Sequence, residues 1–223
     1  MLLESARGRV LVDCGTTSLV AMRQADVDPL TIDAIALTHL HGDHFGGLPF
    51  LILDGQFRRR TAPLTVAGPP GVRERVEAAM EVFFPGSTSV TRRFAVEYVE
   101  LRDGTATRVG AVTVTPFVVV HASGAPAHAL RIDDGERVVT YSGDTEWTER
   151  LLDAARGADL FVCEAYTYDR AVKFHLDHAT IRAHRDAFGC RRILLTHMGP
   201  DMLARQANAE FECAYDGLII AID

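Results

Sequence analysis

Three imidazoles and a carboxylate fall within six residues of this 223-residue chain, in the run Thr38-His39-Leu40-His41-Gly42-Asp43-His44-Phe45-Gly46-Gly47. The run follows an apolar stretch, Ala34–Thr38, that reads as a strand. In extended backbone alternate side chains share a face, so His39 and His41 can point to one metal ion. Gly42 permits a sharp turn, which would redirect Asp43 and His44 toward a second position nearby. Imidazole and carboxylate suit zinc, manganese or iron, whereas calcium and magnesium prefer oxygen alone. Gly46 and Gly47 would let the following helix start close to the metals. A lone histidine is usually an ordinary surface or core residue. Four ligand-type side chains at H-x-H-x-D-H spacing after a strand are far more specific than that.

Further ligands belong at other strand ends. His121 ends Val118-Val119-Val120-His121, Asp144 follows a strand in Tyr141-Ser142-Gly143-Asp144-Thr145, and His197 follows Ile193–Thr196. Each is weak alone; three in this order, each after an apolar strand, reinforce the first cluster. Two echoes hint at an internal duplication: Arg9–Gly15 with Arg137–Gly143, and Ile35–Leu40 with Ile193–Met198. In both of the latter a strand ends in Thr-His.

The elements that must carry these residues are short. Strands are predicted at Arg9–Asp13, Ala34–Thr38, Leu64–Ala67, Ala95–Leu101, Ala111–His121, Ala127–Ile132, Arg137–Ser142, Asp159–Glu164, Ile193–Thr196 and Leu218–Ile220. Helical periodicity falls at about 46–58, 70–83, 146–156, 178–188 and 200–210. Strands mixed with helices suggest sheets covered by helices on their outer faces. With 48% apolar and 24% charged residues the chain is an ordinary globular protein, expected as one domain over 1–223. The net charge of −7 argues against broad nucleic-acid binding. Lys173 is the only lysine among 23 basic residues, a bias that lowers the weight of arginine clusters such as Arg58-Arg59-Arg60 and Arg92-Arg93. Cys14, Cys163, Cys190 and Cys213 form no C-x-x-C pair. No membrane span or signal peptide is apparent, which makes the cytoplasm the expected compartment.

This pattern resembles the metallo-β-lactamase-fold hydrolases. The resemblance covers nearly the whole chain and implies an α/β, four-layer αββα sandwich of two mixed sheets flanked by helices. It also implies two divalent transition-metal ions, zinc first, with manganese or iron as alternatives. His39, His41 and His121 would hold one; Asp43, His44 and His197 would hold the other; Asp144 would bridge them. Cys163-Glu164-Ala165 and Asp177-His178-Ala179-Thr180 resemble the H-E-A-T and G-H-S-T segments of the ribonuclease Z branch. Carried over, Glu164 would orient His178, and His178 would face the scissile phosphate. Asp177 or His178 could instead merely cap the next helix. His175 is the nearest competitor, but an exposed loop position is expected for it. His128 could line the cleft, and His184 reads as structural. Asp13 is a candidate to support the metals, or equally a buried backbone cap.

The chain also departs from that branch. Only 22 residues separate His121 from Asp144, enough for a hairpin but not for the usual tRNA-binding arm. The chain also begins almost at what is usually the second strand. The expectation is therefore a phosphodiesterase acting on a small or cyclic phosphodiester by attack of a metal-bridging hydroxide, with Asp43 able to accept a proton and His178 assisting the leaving group. The expected partners are a small-molecule substrate and, because relatives often dimerise, a second copy of the chain; no nucleic acid or membrane is expected. The alternatives are a lactonase or thioesterase, which does not call for the Glu164/His178 pair, then tRNA 3′-end processing, then a non-enzymatic regulatory protein.

Overall fold

The computed structural model describes residues 1–222, and these divide into two compact units. One is formed by residues 1–102, 107–112 and 123–125, the other by 103–106, 113–122 and 126–222.

The first unit is built on a five-stranded sheet of β1 (Leu2–Ser5), β2 (Gly8–Val12), β3 (Ala34–Ala36), β4 (Leu64–Gly68) and β5 (Val96–Glu100), in that order. β1 runs antiparallel to β2; the remaining pairs are parallel. A strand buried on both faces reads as a continuous apolar run, and Ala34-Ile35-Ala36 is fully buried. The helices are α1 (Ser18–Gln24), α2 (Gly42–Phe45), α3 (Leu48–Phe57) and α4 (Val72–Phe83). Their buried side chains, among them Leu48, Ile52 and Val76, pack with Ile35 and Val66 of the sheet and with Leu37 just after β3. The register Val12↔Ala36 brings the chain leaving β2 beside the chain leaving β3, so Asp13 meets Thr38.

A second, seven-stranded sheet has the order β12-β11-β10-β9-β8-β7-β6. Its strands are β6 (Thr107–Val109), β7 (Val112–Val119), β8 (Ala127–Asp133), β9 (Val138–Tyr141), β10 (Leu160–Glu164), β11 (Ile193–Thr196) and β12 (Glu212–Cys213). β7, β8 and β9 are antiparallel neighbours, and β9 to β12 are parallel. The core of the second unit gathers Phe161, Cys163 and Leu195 of the central strands with Leu151, Ile181 and Met202. These last three come from α5 (Arg150–Ala155), α6 (His178–Ala183) and α7 (Pro200–Arg205). The parallel register sets Glu164 of β10 against Thr196 of β11, one residue before His197.

Both sheets are thus mixed and flanked by helices, as expected. The departures are local. β1, which the residue pattern does not mark, forms a hairpin with β2. α1 was not predicted; among its seven residues only Met22 is buried, which leaves little periodicity to read. Leu218–Ile220 is not a strand: it follows a turn at Gly217, and Ile219 is 92% exposed. The helix predicted over 46–58 splits into α2 and α3 and begins inside the histidine motif, at Gly42. Gly42 has no positive φ and a Cβ there would meet nothing, so the turn comes from the helix start itself.

The hairpin of β8 and β9 fills most of the segment between His121 and Asp144 and carries His128, which is 1% exposed. Burial lowers its pKa to about 4, against a weaker opposite effect of Asp103. The unfolded imidazole takes a proton near 6.5, whereas the folded one stays neutral to about 4. The unfolded state therefore binds the extra proton in that window, and stability falls as pH drops through it, by about 3 kcal/mol over the whole shift. Denaturant unfolding at pH 7 and pH 4 should show His128→Leu losing less stability than the parent protein. An equal loss in both would assign the acid sensitivity elsewhere.

Candidate active site

In the first unit the histidine motif is organised by Asp13, which leaves β2 in the left-handed region at φ 57°. Its Oδ1 accepts the Thr38 amide at 2.8 Å, and its Oδ2 accepts the Thr38 hydroxyl at 2.9 Å and His44 Nδ1–H at 2.7 Å. With its own proton given to Asp13, Thr38 Oγ1 is left to accept from His39 Nδ1 at 3.0 Å. Asp13 thus caps a backbone group and supports two candidate ligands. The His39 ring lies 4.9 Å from His41 and 4.0 Å from His44. His41 is the N-cap of α2, in extended backbone, and Asp43 sits exposed in its first turn with Oδ2 3.6 Å from His44 Nε2. α2 lies tight on the chain after β2: Cys14 N–H donates to His44 O and Gly47 N–H to Cys14 O. A Cβ on Gly15 would fall on the Asp43 carbonyl oxygen, and one on Gly47 on the Gly15 carbonyl oxygen. Only glycine fits either place.

In the second unit, His121 follows β7 and donates Nδ1–H to the Phe174 carbonyl at 3.0 Å. Phe174 adopts φ 69°, a conformation rare for a bulky side chain, and this places strain beside the site. Asp144 is buried, with Oδ2 3.9 Å from His121 Nε2 and Oδ1 3.5 Å from His197 Nδ1. His197 follows β11, also in the left-handed region at φ 50°. Its Nδ1 lies 3.1 Å from Glu164 Oε2.

Glu164 is fully buried and accepts four N–H groups. Oε1 takes the amides of Thr145 and Leu176; Oε2 takes His197 and, at 2.9 Å, His175 Nδ1. The hydrogen bond to Glu164 raises the His175 pKa above the usual imidazole value, against the effect of burial. Ligand atoms of Asp144, Glu164, His175 and His197 all lie within 4.8 Å of one another. Two backbone amides and two imidazole nitrogens already meet the Glu164 oxygens.

Four candidate ligands share one feature: the Nδ1 of His39, His44, His121 and His197 is tied to a protein oxygen. A neutral imidazole that donates through Nδ1 keeps its lone pair at Nε2. Metal-binding histidines are commonly fixed this way, and the donor set fits zinc, manganese or iron.

The expected pairing of Glu164 with His178 is corrected: His175 takes that place. His178 opens α6, is buried, and accepts the Glu210 amide at Nε2, 3.2 Å away. It stacks on Tyr168 at 4.7 Å, and burial lowers its pKa. Asp177 caps the same helix, accepting the Thr180 amide. His184 stacks on Trp147 at 3.7 Å, a structural contact as expected. The arginine clusters are also largely structural. Arg58 pairs with Asp28, and buried Arg60 donates to the carbonyls of Leu30, Ile32, Ala62 and Pro63. Arg92 donates to the Ser87 carbonyl. Among the described residues no helix is long and apolar enough to cross a membrane.

Known proteins carry the same arrangement of elements. The chain is 26% identical over 287 aligned positions to ribonuclease Z of Bacillus velezensis, covering 100% of this chain and 91% of that one. Ribonuclease Z of Methanothermobacter thermautotrophicus is 27% identical, over 84% of this chain and 76% of its own. The human short-form tRNase Z structure superposes with a TM-score of 0.80 at 22% identity, over 100% of this chain and 91% of that one. The family model for the beta-lactamase superfamily domain matches residues 8–198. The chain belongs to that superfamily, as a metal-dependent hydrolase of metallo-β-lactamase fold in the ribonuclease Z-like branch.

Proposed function

We propose that the protein is a dinuclear-metal phosphodiesterase acting on a small or cyclic phosphodiester. By the resemblance, His39, His41 and His121 would hold one ion and Asp43, His44 and His197 the other, with Asp144 serving both. When bound, two such ions supply a nucleophile from water near neutral pH and offset phosphate charge. Asp43, exposed in the first turn of α2, is the carboxylate available to accept a proton from the attacking water. His175, held by Glu164 at Nδ1, presents Nε2 and gives its proton to the leaving oxygen as the P–O bond breaks. The single observation that carries this reading is the Glu164 carboxylate shared between His197 and His175. Cleavage of a carboxyl ester or thioester would not call for that second histidine.

A small substrate is favoured over tRNA by four facts. The hairpin of β8 and β9 leaves no arm between His121 and Asp144. Arg58 and Arg60 are held by internal partners, and the net charge is −7. The alignment to the Bacillus relative is longer than this chain while spanning all of it, so that relative has segments this chain lacks.

Purified protein should contain close to two transition-metal ions and hydrolyse bis(p-nitrophenyl) phosphate and cyclic nucleotides, and chelation should abolish both activities. Hydrolysis of a lactone or thioester with no phosphodiester turnover would replace this reading with the carboxyl-ester alternative. Cleavage of a tRNA precursor in preference to the small esters would restore the ribonuclease assignment.

A further inference from the structure

The geometry points to Tyr166 as the residue that positions His175, an inference that rests on the phosphodiesterase reading above. Glu164 fixes His175 through Nδ1 alone, and one hydrogen bond leaves a ring free to pivot about that contact. Tyr166 closes this freedom. Its ring stacks on His175 with centroids 4.7 Å apart and planes 28° from parallel. His197 flanks both rings, 5.6 Å from His175 and 5.9 Å from Tyr166, at similarly small angles.

The backbone of Tyr166 is clamped to both histidine-bearing segments. Its N–H donates to the Leu176 carbonyl, next to His175, and its carbonyl accepts the Gly199 amide, two residues after His197; both bonds are 2.9 Å. The ring lies directly on Gly199, where a Cβ would come within 3.2 Å of Cε2 and 3.3 Å of Cζ. An aromatic side chain with so little rotational room is a wall against which the imidazole is held. Proton donation needs Nε2 within hydrogen-bond reach of the leaving oxygen, so a small swing of the ring is enough to lose it.

The consequence is specific to the leaving group. A p-nitrophenolate departs without a proton, whereas an alkoxide or ribose oxygen needs one. Tyr166→Ala should therefore lower kcat about 10- to 100-fold on a phosphodiester with an alkyl leaving group. Turnover of bis(p-nitrophenyl) phosphate should fall less than about 3-fold, with KM and metal content unchanged, because only the proton-dependent step is affected. Tyr166→Phe keeps the stacking face and should restore the alkyl substrate. Adding Tyr166→Ala to His175→Ala should cost little further. The downfield proton signal of His175 Nδ1–H should also broaden in Tyr166→Ala and return in Tyr166→Phe, a readout independent of turnover. Should the alanine variant fold poorly, Tyr166→Leu removes the aromatic face while keeping bulk and takes its place.

Equal losses on both leaving groups, or no rescue by phenylalanine, would overturn the positioning role. A parent protein that turns over no phosphodiester would overturn the functional reading instead, and the proton signal would still decide whether Tyr166 orders His175.

Discussion

His175→Ala is expected to lower kcat on phosphodiesters of alkyl leaving groups by about 10²- to 10⁴-fold, the usual contribution of a positioned proton donor. Metal content should stay at the parent level, because His175 is held by Glu164 and is not itself one of the proposed ligands. His178→Ala should behave in the opposite way. His178 is buried, stacked on Tyr168, and receives the Glu210 amide, so its loss leaves that amide unpaired and a void beside Phe211. The cost is about 1–3 kcal/mol of stability with turnover changed only a few-fold. Parallel measurement of kcat, metal content and thermal unfolding on the two variants separates the roles. A His178→Ala enzyme that folds normally but turns over slowly would return the proton-transfer role to His178.

The metal-ligand candidates were legible because their information is local: H-x-H-x-D-H is one stretch of chain, and His121, Asp144 and His197 each end an apolar run. The partner of Glu164 was not local. His175 and His178 both precede the helix, and Asp177-His178-Ala179-Thr180 has the look of a capped helix start, which it is. What selects His175 is the register of β10 against β11 and the left-handed turn at Phe174, an ordinary phenylalanine in the sequence. Strand pairing across 32 residues and a positive φ on a bulky side chain leave no mark in a pattern of residue types. The opposite error occurred at Leu218–Ile220, where an apolar triplet imitates a strand yet has no strand partner and projects Ile219 into solvent. Asp13 lay between these cases. Its position at a strand end was readable, but its bond to His44 depends on the parallel pairing of β2 with β3.

Glu164→Gln is expected to be the most damaging conservative change, because four N–H donors converge on the two carboxylate oxygens. An amide offers one acceptor oxygen and one NH₂, so whichever way it turns, donors face donors. With NH₂ toward Thr145 and Leu176, two backbone amides are left unpaired in a fully buried place, at about 1–3 kcal/mol each. For a chain of this length a loss of about 4 kcal/mol lowers the melting temperature by roughly 8–16 °C. With NH₂ toward the histidines, each imidazole can accept only by moving its proton from Nδ1 to Nε2. On His197 that puts a proton on the nitrogen proposed to hold the metal, and on His175 it keeps the ring neutral, because Nδ1 must accept, so the cationic ring that gives up its Nε2 proton is lost. The first arrangement unfolds the protein more easily; the second empties the second metal position while the fold survives. Thermal unfolding and metal analysis of the same preparation tell which occurs, and turnover should fall at least 100-fold in the second case, as expected when both a metal position and a proton donor are disturbed. Glu164→Gln protein with the parent melting temperature, full metal content and normal turnover would mean that the carboxylate does not organise the site. Glu164→Asp separates charge from reach: the shorter side chain keeps both acceptor oxygens but cannot span Thr145 and the two imidazoles together. It should therefore recover stability ahead of activity.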